Sequence, residues 1–266
     1  MLRPLPLLPP TRRRALCGMA AAFCSLASPR GAWADDPATT PQSRLDTPWW
    51  AERHQQKLEE IRRAPVDLIF IGDSIIHNYE LTSTAPQYDF LGLWKRFYGN
   101  RKAVNLGFNG DTTGNALWRL ENGEIDRIAP RVAVVLIGTN NTIQGQGAEE
   151  TEAGIAAIVA LLRQRLPMTK ILLLGILPSG ISPLKTALDQ TVNLRLADRY
   201  AAARGVTFMD VGYLFLKDGV TDLGLYMDPR NTPPVPALHP DAAAQARMAE
   251  AIEPTLAALM GERAKP

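Results

Sequence analysis

Four short stretches of this chain carry residues that together could transfer an acyl group. Ser74 follows the apolar run Leu68-Ile69-Phe70-Ile71 through the turn Gly72-Asp73. NLGFNGDTTG, residues 105 to 114, closes a second run, and GTNNT, residues 138 to 142, closes a third. LHPD, residues 238 to 241, brings His239 some distance beyond the last run. Hydroxyl, glycine turn, side-chain amide and imidazole supply a nucleophile, oxyanion donors and a base. Each stretch alone also has a plain structural reading. Gly, Asp and Ser are ordinary turn residues, and a histidine before Pro240 suits the start of a helix. Their joint placement is what points to chemistry.

The elements that must hold them are legible as five apolar, β-rich runs at 67–72, 102–107, 132–138, 170–176 and 206–211. The runs are continuous rather than alternating, as in parallel strands covered on both faces. Helical patterns lie near 51–64, 112–122, 149–165, 184–204 and 240–260. Strand alternating with helix predicts a doubly wound, flavodoxin-like three-layer α/β fold with a five-stranded parallel sheet. In such a sheet, groups at the carboxyl ends of strands meet in one crevice. No internal repeat is present.

The first 34 residues read as an export signal rather than as part of the fold. Arg12-Arg13-Arg14 precede the apolar stretch Ala15 to Ala27, and Ala32-Trp33-Ala34 supplies an A-x-A site. The arginines match a twin-arginine signal, and the apolar stretch falls short of the roughly 20 residues that span a bilayer. A periplasmic or secreted location follows, with residues 35–45 as a polar linker and 46–266 as the domain. Cys17 and Cys24 both lie in the leader, so the exported chain holds no cysteine. The leader takes five of the 29 basic residues and none of the 27 acidic ones, leaving a net charge near −3. No basic stripe or nucleic-acid motif is present, and no stable membrane insertion is expected of the domain.

Other chemistries lack their residues. GxxxxGK[ST], HExxH and G-x-S-x-G are all absent. Three scattered histidines, His54, His77 and His239, make no zinc site, so neither metal nor cofactor is expected. His54 lies among charged residues of the first helix and reads as solvated, whereas His77, three residues beyond Ser74, could line a pocket or face solvent. Gly107, Gly110 and Gly114 do not fit G-x-G-x-x-G.

GDSI, NGDTT, GTNN and LHP, in this order, resemble the four blocks of the SGNH (GDSL) hydrolases. The stretch from Asn109 to Asn141 is similar to the catalytic α subunits of platelet-activating-factor acetylhydrolase nearly throughout, and the likeness covers about residues 65 to 258. It implies Ser74 as nucleophile and His239 as base. Oxyanion donors would be the backbone N–H groups of Ser74 and Gly110 and the side-chain amide of Asn140. Asp73 would brace its turn, and Thr112, Trp118 and Asn141 would support or pack.

The family places an aspartate three residues before the histidine, and here that residue is Pro236. Proline offers a carbonyl but no carboxylate. The imidazole could be oriented by a backbone carbonyl, by Asp228 or Asp222 from the upstream loop, or by nothing. The implied function is a serine esterase removing short acyl groups, acetyl above all, from a glycan. The alternatives are a lysophospholipase or lipid esterase of the same mechanism, an acyltransferase, and a non-catalytic binder lacking the triad acid. The substrate is a small-molecule, glycan or lipid ester, and oligomeric state is not readable. The loops 77–100 and 212–238 are expected to wall the pocket, with Trp94, Tyr98, Tyr213 or Tyr226 available to stack on a sugar or to pack.

Overall fold

A strand without polar alternation has to be covered on both faces, and each of the five runs is. The computed structural model describes residues 36–264. In chain order, α1 spans Pro48–Arg63, β1 Leu68–Gly72, α2 Ser74–His77, α3 Leu91–Phe97, β2 Ala103–Gly107 and α4 Thr113–Arg119. β3 follows at Val132–Leu136, α5 at Thr139–Ile143, α6 at Ala148–Arg165, β4 at Lys170–Leu174, α7 at Pro183–Tyr200 and β5 at Val206–Met209. A short antiparallel pair, β6 Leu216–Lys217 and β7 Val220–Thr221, precedes α8, Ala242–Met260.

The first five strands form one parallel sheet in the order β2-β1-β3-β4-β5, the flavodoxin-like arrangement. Successive side chains point to opposite faces, so the continuous runs serve two cores. Ile69, Ile71, Val135, Ile171 and Leu173 pack with Ala116, Ile158, Leu162 and Leu196 from α4, α6 and α7. Leu68, Phe70, Val134, Leu172 and Leu174 pack with Ile76, Met248, Ile252 and Leu256 on the other face. Burying one such side chain contributes about 1.5–3 kcal/mol. The runs at 132–138, 170–176 and 206–211 overrun their strands by two residues, because the chain turns into the loops before its hydrophobicity ends; those at 67–72 and 102–107 start one residue early, at Asp67 and Lys102.

Strands β2 and β3 flank β1 on opposite sides, so the loops leaving β1 and β3 part and open a crevice. Register fixes the level of that crevice: Gly72 pairs with Gly107 on one side and with Leu136 on the other. Ser74, Gly110 and Asn140 therefore leave the sheet at one height. Helix α8 caps itself with Asp241, whose side chain accepts the Ala244 N–H, so Pro240 lies just outside the helix rather than in its first turn. Arg101 ties α8 to the start of β2 through two bonds of 2.7 Å to Glu253.

Two expectations are corrected. His54 is buried, not solvated: its Nδ1 lies 3.1 Å from Glu124 Oε1, and its ring packs between Trp50 and Trp118. The linker expected over 35–45 is, in its described part, packed down on the domain. The Ala38 carbonyl accepts from Thr113 Oγ1 at 2.7 Å, and Gln42 exchanges two bonds with Gly114 and Asn115. The leader reading falls on residues 1–34, outside the described residues. No described helix is long and apolar enough to cross a membrane.

Candidate active site

Ser74 opens α2 directly after β1. Asp73 caps that short helix by accepting the Ile75 N–H at 2.9 Å. The carbonyls of Ile75 and Ile76 are held by the side chains of Gln245 and Asn105, each at 2.8 Å. The turn is thus fixed by α8 and by β2, both on the face of the sheet that carries Phe70. Burial, partly offset by the Ile75 bond, pushes the Asp73 carboxyl up to about 6. Asp73 braces the turn, while the two imidazole nitrogens go to Asp228 and Ser74.

The histidine arrives on a loop that closes on itself. The N–H of Met227 donates to the His239 carbonyl at 2.9 Å, and the N–H of Asp241 donates to the Leu225 carbonyl at 2.8 Å. This folding brings His239 Nε2 to 2.9 Å from Ser74 Oγ. It also brings Asp228 Oδ1 to 2.7 Å from His239 Nδ1. The other oxygen, Oδ2, accepts the backbone N–H groups of Leu238 at 2.8 Å and His239 at 2.6 Å. Burial works to raise the Asp228 pKa, but the His239 ring and the two N–H groups outweigh it and hold the carboxyl below its ordinary value. An ionised Asp228 fixes the proton on Nδ1 and leaves the Nε2 lone pair facing Ser74. Pro236 is exposed and takes no part. Asp222 caps Gly224 instead.

Opposite the imidazole stand the oxyanion candidates. Gly110 adopts φ +75°, a left-handed conformation that glycine takes without strain. The N–H groups of Ser74 and Gly110 go to no protein acceptor among the described residues. Asn140 Nδ2 donates one hydrogen to the Asp111 carbonyl at 2.9 Å, which orients the amide and leaves its second hydrogen available. Asn141 locks α5 to α4 through Thr113, accepting its N–H at 3.1 Å and donating to its hydroxyl at 2.7 Å. Thr112 starts α4 with its N–H and hydroxyl on Asn115 Oδ1.

Ser74, Gly110, Asn140, Asp228 and His239 all line one cavity of about 540 Å³, walled by Leu81, Tyr88, Met227 and Leu238. The wall comes from the two loops expected to supply it. A larger cavity of about 810 Å³ beyond β4 and β5 shares no lining residue with it and holds no hydroxyl–imidazole pair. Size is a poor guide to the chemistry here. Tyr213 lines that second cavity, while Tyr98 and Tyr226 are buried and Trp94 packs on Phe70, Tyr79 and Tyr98. None of the four expected aromatics faces the candidate site. His77 sits at its edge, with Nδ1 accepting the Asn109 N–H at 3.3 Å. Burial, then the charge of Arg53, lowers its pKa to about 4.

A polar network behind the site escaped the sequence reading. Arg119, fully buried, donates to Asp111 Oδ2 at 2.8 Å and to Glu124. Lys185, also buried, joins Thr139 Oγ1 at 2.9 Å to Asp189 Oδ2 at 2.5 Å, next to Asn140. Charged residues on helices read as solvated faces, and the similarity across 109–141 covers Arg119 and Glu124 without singling them out.

Residues 70–247 match the family model described as GDSL-like Lipase/Acylhydrolase family. Among curated proteins, the chain is similar to platelet-activating factor acetylhydrolase IB subunit alpha2 of Gallus gallus. The two are 34% identical over 179 residues, which is 61% of this chain and 73% of that protein. Among solved structures, a GDSL-like lipase from Bacteroides thetaiotaomicron VPI-5482 superposes with TM-score 0.59 at 19% identity, covering 77% of this chain and 96% of that one. A carbohydrate acetylesterase from Sinorhizobium meliloti gives TM-score 0.54 at 17% identity, covering 73% and 99%. Both structural likenesses speak for the fold.

Proposed function

The chain belongs to the GDSL-like lipase/acylhydrolase family of serine ester hydrolases, and from that premise we propose an exported esterase that removes acetyl groups from a glycan. The hydrogen-bonded series Ser74–His239–Asp228 carries this reading. Ser74 Oγ attacks the acyl carbon while its proton passes to His239 Nε2. The carbonyl oxygen, now negative, is met by the N–H groups of Ser74, Gly110 and Asn140, each donor contributing about 3–4 kcal/mol. His239 gives the proton to the departing alcohol, and an acyl-serine remains. Water repeats the sequence with His239 again as base, releasing the acid and restoring Ser74. With Asp228 beside the imidazole, the binder reading loses the missing carboxylate that motivated it.

A short acyl group suits a cavity of about 540 Å³ whose apolar wall is limited to a few side chains. The curated relatives' name, acetylhydrolase, supports the two-carbon acid. A glycan suits a rim where Asn109 and Asn231 are exposed, and an export signal would bring the enzyme to cell-surface or extracellular polymers. The test compares native protein and Ser74→Ala on p-nitrophenyl acetate, on longer-chain esters and on an acetylated oligosaccharide. Equal ester hydrolysis by Ser74→Ala overturns the mechanism. Faster acetate release from platelet-activating factor than from the oligosaccharide replaces the glycan by a lipid ester, a reading that the relatives' name also favours. Export is tested by the N-terminal sequence of the protein recovered outside the cytoplasm, expected to begin just beyond Ala34.

A further inference from the structure

The segment before α1 lies outside the part of the chain that matches the family model, yet it reaches the candidate site. Its backbone is laid across α4 and α6 at two glycines. A Cβ on Gly114 would stand 2.4 Å from the Pro37 carbonyl oxygen, and one on Gly154 would stand 2.6 Å from that of Ala38. Thus anchored, the segment delivers Arg44 to the loop after β2. One guanidinium nitrogen, Nη1, donates to the Asn109 carbonyl at 2.9 Å and to Asp111 Oδ1 at 3.0 Å. The guanidinium also lies 5.5 Å from the ring centre of Trp49. Asp111 is itself fixed, by Trp50 Nε1 and Arg119 Nε, each at 2.8 Å.

The carbonyl that Arg44 holds is half of a single peptide plane whose other half is the Gly110 N–H. The plane is rigid and trans, so oxygen and hydrogen point in opposite directions. Holding the oxygen aims the hydrogen. A charge-assisted bond to the carbonyl also polarises the amide and strengthens its N–H as a donor. Such a clamp is needed here because Gly110, with φ +75°, is the residue type least able to fix its own backbone. The preceding plane is held as well, by the Asn109 N–H on His77 Nδ1.

We propose that Arg44 is a positioning residue for ester cleavage, fixing and polarising the Asn109–Gly110 peptide so that the Gly110 N–H meets the developing oxyanion. This rests on the reading of Gly110 as an oxyanion donor. Arg44 touches no substrate in this role and acts through the peptide plane.

The test measures kcat and KM for p-nitrophenyl acetate in native protein, Arg44→Ala and Arg44→Lys. Affinity for a boronic acid that mimics the tetrahedral adduct is measured alongside. Arg44→Ala is expected to lose about 10- to 100-fold in kcat with KM changed by less than about twofold. The boronic acid should weaken in step with kcat/KM. Arg44→Lys, a point charge that can serve one acceptor, should recover part of the loss. Millimolar guanidinium should raise the kcat of Arg44→Ala and leave the native enzyme unmoved. A native-like kcat in Arg44→Ala overturns the proposal. So does a loss that neither lysine nor guanidinium repairs, since that marks a merely structural residue. Absence of Ser74-dependent turnover in the native protein would instead overturn the parent reading, and this one with it.

Discussion

Asp228 takes the ring N–H of His239 on one carboxylate oxygen and the backbone N–H of the same residue on the other. One side chain thereby sets both where the imidazole stands and which of its nitrogens is free. The acid lies 11 residues upstream instead of three. The loop between them folds back, with the Val235 N–H on the Asp228 carbonyl at 3.2 Å. Proline at 236 is tolerated because the position that the family gives to an acid is here an exposed point of that loop.

Replacing Asp228 by Asn tests this relationship. An amide cannot accept on both sides as a carboxylate does, and its NH₂ would oppose either the ring N–H or the two backbone N–H groups. Turnover of p-nitrophenyl acetate is expected to fall roughly 10⁴-fold, as when the acid of a serine-protease triad is spoiled. Asp222→Asn should leave kcat within about twofold of native, because Asp222 serves only its own turn. Equal losses in the two variants would remove Asp228 from the relay.

Asn140→Ala tests a single one of the proposed oxyanion donors. Asn140 is held by the Asp111 carbonyl and stands on the short α5, so its loss should leave the fold in place. The expected effect is a fall of about 10²–10³ in kcat with little change in KM, the mark of an interaction made in the transition state. A change confined to KM would make Asn140 a binding residue.

Much of this arrangement was legible because parallel strands write both cores into one apolar run. Ile69 and Phe70 face opposite layers, yet both must be hydrophobic, and the run ends where the chain turns toward Ser74. Asp228 was harder, since a loop rich in proline gives no period from which to place a carboxylate. Arg44 was invisible: Pro, Thr and Ser around it describe a linker equally well, and nothing local announces that Gly114 and Gly154 leave it room. His54 misled for a related reason. Its charged neighbours on the helix suggest solvent, whereas it is buried against Glu124, as is Arg119.

Two groups beside Ser74 should give the folding stability opposite pH slopes. Burial raises Asp73 from 3.8 to about 6, so the folded protein keeps a proton that the unfolded chain releases. Its contribution is full below pH 3.8 and is lost as pH rises through 6, a change of about 3 kcal/mol. His77 is lowered from 6.5 to about 4, so its contribution is full above pH 6.5 and is lost as pH falls toward 4. Urea titrations across pH 3.5–7 should show the native curve minus that of Asp73→Asn falling with pH. The native curve minus that of His77→Gln should rise. Parallel curves in either case would refute the assignment for that residue.

Arg119→Met should destabilise far more than a surface substitution. The guanidinium is the shared partner of Asp111 and Glu124, all three buried, and it lies 3.9 Å from the centre of the Phe108 ring. Methionine fills part of the space and removes the cation that Asp111 and Glu124 share, leaving Asp111 with Arg44 and Trp50 and Glu124 with His54. The expected cost is about 3–5 kcal/mol, read as a drop in the urea midpoint with an unchanged slope. A loss below about 1 kcal/mol would mean that the carboxylates are neutral in the folded state and need no partner.

Gly114→Ala asks whether the segment bearing Arg44 is truly seated on α4. The new methyl would lie 2.4 Å from the Pro37 oxygen and 2.7 Å from the Thr40 oxygen, both backbone atoms of that segment. Neither contact can be relieved by turning a side chain, and α4 cannot retreat while Ala116 and Leu117 are packed in the core. The segment must therefore lift, breaking the Gln42–Gly114 bond of 2.9 Å. An overpacking cost of about 1–3 kcal/mol is expected, with new proteolytic cleavage between residues 36 and 47 where the native chain is protected. Alanine prefers a helix to glycine by about 1 kcal/mol, so a free segment would predict the reverse: a more stable protein, cut no faster than before.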